Sequence, residues 1–132
     1  MNIPISVDYD GAKSIRLWLS GQNPVAGDDV TVSVTITNMP GSTTLTKAWL
    51  TFKQQRGEAD PGILQEVLTS GFSASGTTVT FSFDLSKVDT ALFTADRKYV
   101  FDLQIKDSNS KIKTPVPDGS VIFQAGVTAA SS

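Results

Sequence analysis

A chain of 132 residues, 39% of them hydrophobic, has the size of one domain and the composition of a globular one, which argues against a disordered tail or a membrane-embedded bundle. Eleven Lys and Arg stand against thirteen Asp and Glu, and the cations are dispersed, so the basic patch that a nucleic-acid footprint needs is missing. With no cysteine and no histidine, disulfides, thiolate nucleophiles, sulfur metal sites and the commonest general base are excluded. No apolar run approaches the roughly 20 residues that span a bilayer. The start M-N-I-P-I-S-V-D-Y-D lacks the basic and apolar regions of a secretory signal, so the chain is expected to be made in the cytoplasm with no membrane partner.

In chain order, Ile3, Ile5 and Val7 alternate with polar residues, but Pro4 removes a ladder donor. The first ten residues therefore read as an edge strand or as a tail seeking a partner. Asp8-Tyr9-Asp10-Gly11 is a turn by composition. Ser14 to Ser20 predicts a strand with Ile15, Leu17 and Leu19 on one side and Trp18 on the other, closed by Gly21-Gln22-Asn23-Pro24. Asp29 to Thr37 is the cleanest strand, with Val30, Val32, Val34 and Ile36 in phase and many β-branched residues that fit a pleated surface. After the turn at Asn38-Met39-Pro40-Gly41 and a polar loop from Ser42, Lys47 to Lys53 puts Ala48, Leu50 and Phe52 inside and Trp49 outside. Gln54 to Gly62 is charged, contains a Pro-Gly pair and predicts a protruding loop.

Ile63 to Thr69 carries apolar residues at both parities, which suits either a strand buried on both sides or an edge. Ser70 to Gly76 is turn composition, and Thr77 to Leu85 again alternates cleanly through Val79, Phe81, Phe83 and Leu85. Ser86 with Asp89 three residues on predicts a capping box and a helical turn or two reaching about Phe93. Lys98 to Asp107 is the organising strand, with Tyr99, Phe101, Leu103 and Ile105 on its dry face. Tyr99 follows a helical corner, as the tyrosine of an immunoglobulin-type corner does, or it is simply one more core aromatic. Beyond a tight turn at Asp107 to Ser110, Lys111 to Val116 places Ile112, Thr114 and Val116 on one face, and Pro115 and Pro117 make it an edge strand or end it early. Ser120 to Val127 closes the fold with Val121, Phe123, Ala125 and Val127 in phase.

Seven or eight short strands with turn signals between them, and only one short helix where parallel sheets need long crossovers, predict an all-β fold. It is expected to be an antiparallel two-sheet immunoglobulin-like β-sandwich with one short helical turn. Residues 1–20 form an N-terminal arm and first strand, 21–127 the sandwich and 128–132 a frayed tail. The predicted core holds Val32, Val34, Leu50, Phe52, Phe81, Phe83, Tyr99, Phe101, Leu103 and Phe123.

Chemistry finds little purchase. The acidic residues fall mostly in turns, where short carboxylates cap their own backbone, and no pair reads as catalytic. Asp8-Tyr9-Asp10 and Asp107-Ser108-Asn109 each begin like a calcium loop, but the next oxygen positions hold Ala12 and Lys111. No glycine spacing cradles phosphate. The expectation is therefore a protein with no catalytic residue, no metal and no cofactor. What remains is contact surface. Trp18 and Trp49 lie out of phase with the apolar faces of their strands, where they either meet a partner or are covered by a loop or the arm. With the apolar alternation of the arm, this makes Ile3, Ile5, Val7, Trp18 and Trp49 the candidate interface residues.

G-D-D-V-T-V-S-V-T-I-T (Gly27 to Thr37), A-W-L-T-F-K (Ala48 to Lys53), T-V-T-F-S-F-D-L-S-K-V-D-T-A-L-F (Thr78 to Phe93) and Y-V-F-D-L-Q-I-K-D (Tyr99 to Asp107) carry a resemblance. From Gly27 to Val127 the chain resembles a small family of phage virion domains with an immunoglobulin-like fold, known as the N-terminal domain of phage baseplate upper proteins and as short free-standing particle proteins. The resemblance implies a non-enzymatic structural subunit of a bacteriophage particle, either a tail or baseplate accessory or a capsid decoration protein, located in the virion. Its partners would be other virion proteins and copies of itself. A chain running from Met1 to just past its last strand suits an accessory subunit better than a baseplate hub. A carbohydrate- or cell-surface-binding module, stacking a host glycan on Trp18 or Trp49, is the alternative.

Overall fold

The computed structural model describes residues 1–17, 23–41, 43–60 and 62–126. These residues form β1 (Asn2–Asp8), β2 (Ser14–Arg16), β3 (Val30–Thr37), β4 (Leu45–Lys53), β5 (Leu64–Leu68), β6 (Ser73–Ser75), β7 (Thr78–Leu85), a four-residue helix α1 (Lys87–Thr90), β8 (Lys98–Asp107) and β9 (Ile112–Ile122). A four-stranded sheet in the order β1-β3-β7-β6 packs on a five-stranded sheet in the order β2-β9-β8-β4-β5. The fold is an all-β sandwich. Its central strand order is that of immunoglobulin domains, A-B-E-D against C-F-G with a C′ strand added.

Alternation explains the layers. Val30, Val32, Val34 and Ile36 of β3 meet Val79, Phe81, Phe83 and Leu85 of β7 across an antiparallel ladder, and all eight are buried. Facing them are Ala48, Leu50 and Phe52 of β4 and Tyr99, Phe101, Leu103 and Ile105 of β8, also buried. All ten predicted core residues lie inside. Phe93, Tyr99 and Phe123 pack ring on ring at one end, with Phe93 and Phe123 stacked at 4.4 Å. The predicted cap and corner are both present. Ser86 Oγ accepts from the Asp89 N–H at 3.2 Å, and Asp89 Oδ2 accepts from the Ser86 N–H at 2.9 Å. The Tyr99 hydroxyl accepts from the Thr94 N–H at 2.7 Å, tying the start of β8 back to the corner upstream.

The structure corrects three expectations. Residues 1–10 are no free arm: β1 pairs in parallel with β3 from Asn2↔Thr31 to Asp8↔Thr37, and Ile3, Ile5 and Val7 are buried in the core. Pro4 is tolerated because β1 is an edge strand with only one neighbour. The sheets are mixed and not purely antiparallel, since β2 also runs parallel to β9. The two predicted C-terminal strands are one, β9, and it is flanked by β8 and β2. Register shifts opposite Phe101 to Ile105 absorb Pro115 and Pro117 and reverse the face beyond them, so Val116 is buried while Ile112 is 58% exposed. Of the two readings of Ile63 to Thr69, the edge strand is the one present, as β5. Leu19, Trp18 and Val127 lie outside the described residues, as does the tail.

Candidate interaction surface

The outward face of the five-stranded sheet gathers what the sequence places out of phase. β4 contributes Lys47, Trp49 and Lys53, and β8 contributes Lys98, Val100, Asp102, Gln104 and Lys106. Trp49 is half-buried between Val67 on β5 and Gln104 on β8, its cross-strand partners. Val67 is 43% exposed, so an apolar patch of two side chains sits beside an open sheet edge. The Lys47 ammonium lies 5.0 Å from the Trp49 ring centroid, a cation–π contact of the solvent-exposed kind. Thr51 points to this side but is only 3% exposed, and its hydroxyl accepts from Gln65 Nε2 at 3.0 Å.

The loop after β4 is bound to this face. Glu58 accepts from the Gln54 N–H at 2.8 Å, Lys53 pairs with Asp60 at 2.9 Å, and Arg56 reaches across to Asp118 on β9. Two adjoining hollows flank that bridge. One of about 230 Å³ lies over Thr51 and Asp102, and one of about 450 Å³ lies over Val100 and Ser120. Burial in the first pushes the Asp102 carboxyl up from its ordinary value, partly offset by the Lys53 ammonium.

Of the candidate interface residues, then, the structure keeps Trp49 on the surface. It places Ile3, Ile5 and Val7 in the core, where burial removes their side chains from contact with a partner. Trp18 lies outside the described residues. Sequence reasoning missed Val67 and Arg56. Val67 was hidden by apolar residues at both parities of β5, and Arg56 gives no sign in the sequence that it reaches Asp118.

At one end of the sandwich the two incomplete calcium-like turns meet. Tyr9, just past β1, donates its hydroxyl to Asp107 Oδ2, and both residues are buried. The other carboxylate oxygen accepts from the Asn109 and Lys111 N–H groups, each at 2.9 Å. Burial alone would raise the Asp107 pKa, but the Tyr9 hydroxyl and the two N–H groups outweigh it and hold the carboxyl below its ordinary value. The Asp8 carboxylate is likewise occupied, by Asn38 Nδ2 and the Asp10 N–H. These oxygens serve the turns, and among the described residues no group of three or more acidic side chains is placed to hold a metal.

Tyr9→Phe is therefore expected to cost roughly 1.5–3 kcal/mol, the range for a hydrogen bond to a charged group. Asp107 has a folded pKa below its unfolded one, so its contribution is present above an ordinary carboxylate value of 3.8 and lost as pH falls through the folded value. Tyr9 runs the other way. Burial and then Asp107 raise it from 10.0 to about 12, so its contribution holds below pH 10 and is lost as pH rises through about 12. Urea melts of parent and variant between pH 2 and 8 should converge at the acid end. A constant gap across that range would mean the pair is not the acid-sensitive lock.

No protein-family model matches the chain, and no curated protein sequence matches it.

Proposed function

We propose that the protein is a non-enzymatic structural subunit of a bacteriophage particle, acting through contacts with other virion proteins and with copies of itself. The observation that carries this reading is Trp49. It stands half-exposed on β4, a strand hydrogen-bonded on both sides, next to exposed Val67 and within a rim of Lys47, Gln104 and Lys106. An aromatic anchor with an apolar neighbour and a polar rim on a rigid sheet has the anatomy of a protein interface. The resemblance to phage virion domains supplies the setting. Glycan stacking would use the same ring, but the Lys47 ammonium already lies over it and competes for the face a sugar would take.

Peptide mapping of purified phage particles that encode the chain should find it at a fixed copy number. Trp49→Ala should keep the fold, since the side chain is outside the core, yet lower incorporation at least tenfold. Absence from particles, or a variant incorporated like the parent, would overturn the assignment.

A further inference from the structure

The other broad face of the sandwich has a different chemistry. Along β3 the outward residues are Thr31, Ser33, Thr35 and Thr37, and Thr80 and Ser82 continue the pattern on β7. No outward position of β1, β3, β6 or β7 holds Lys, Arg, Glu or Gln. Such a face carries short side chains, and ordering short hydroxyl side chains costs less entropy than ordering long charged ones. Part of it is already ordered: Thr31 donates to Asp84 at 3.1 Å and Ser33 donates to Asn2 at 2.6 Å. Its charged members are both acids, Asp84 beside Thr31 and Asp8 beside Thr37.

The five-stranded sheet is its complement. Outward along β4 and β8 it carries Lys47, Lys53, Lys98 and Lys106 against one acid, Asp102. Lys53 is paired with Asp60 of the loop, so the excess positive charge lies at Lys98 and at the neighbours Lys47 and Lys106. Trp49 is two residues from Lys47 on the same face, so with Lys47 and Lys106 set over one of the acids its ring would rest on the hydroxyl array.

We propose that the hydroxyl face of one copy stacks on the Trp49 face of the next. This rests on the structural-subunit reading and names the partner as a second copy of this chain. The two surfaces lie on opposite sides of the sandwich, so the contact is heterologous, and stacking continues until a ring closes or a filament forms.

Sedimentation velocity on the purified full chain tests this. At low salt the mass should grow with concentration past the dimer, and raising the salt to about 0.5 M should weaken association at least tenfold as the charges are screened. Ser82→Lys, at an exposed position, blocks the hydroxyl face, and Trp49→Ala blocks the other. Each variant alone should stay monomeric with an unchanged melt, while an equal mixture should form a dimer, because each keeps the face the other lacks. A parent that is monomeric at every concentration, a mixture that stays monomeric, or a Trp49→Ala variant that still associates fully would overturn the stacking. Incorporation into particles by a chain that never self-associates would do the same while leaving the structural-subunit reading intact.

Discussion

Deleting residues 1–10 is expected to leave no cooperatively folded protein. β1 buries Ile3, Ile5 and Val7, and Tyr9 follows them into the core. Fully burying side chains of this kind contributes roughly 1.5–3 kcal/mol each. Four of them together rival the whole stability of a typical domain, roughly 5–15 kcal/mol. The loss compounds, because the deletion also strips a parallel partner from β3 along Thr31 to Thr37 and removes the hydroxyl that satisfies buried Asp107. A buried carboxylate oxygen left without its donor is costly in its own right. Far-UV circular dichroism and a thermal melt of the truncated chain would decide the matter. A sharp melt within a few degrees of the parent would show that β1 is dispensable, as a docking arm would be.

That outcome separates what alternation can and cannot tell. In β3, β7 and β8 the apolar phase is unbroken, and the same side chains that mark the strand also fix which face is dry, so both were legible. The phase of Ile3, Ile5 and Val7 was equally plain. It identifies an apolar face without naming the strand that pairs beside it, and it reads the same in parallel and antiparallel ladders. β9 failed for another reason: Pro115 and Pro117 look like terminators, and only the bulged register against β8 keeps the strand going. Trp49 was visible because one aromatic was out of phase. The Tyr9–Asp107 lock was not, because its members are 98 residues apart. The hydroxyl face sat in plain view as the polar half of two strands, but its uniformity emerges only once β3 and β7 are neighbours.

Gly119→Ala is expected to be among the most damaging single-methyl additions in the chain. A Cβ there would meet the Phe101 ring atoms Cζ, Cε1 and Cε2 at 2.3, 2.4 and 2.5 Å, far inside an ordinary contact. Gly119 is the cross-strand partner of Phe101, whose ring fills the space a side chain would take, as aromatic rings do over glycines elsewhere in sheets. The ring has little freedom to yield. Phe101 is 3% exposed and packs on Phe52 at 5.6 Å, and Phe52 in turn meets Phe93 at 5.2 Å. Overpacking of this kind costs roughly 1–3 kcal/mol, occasionally more. Phe101→Ala, which leaves a cavity instead, should cost roughly 3–5 kcal/mol. The two defects are complementary in volume, so the double variant should be less destabilised than the singles predict, with a coupling of about 1–3 kcal/mol. Urea titration of the four proteins measures this directly. Strict additivity would mean that the ring moves aside freely and that Gly119 is there for some other reason than the space Phe101 occupies.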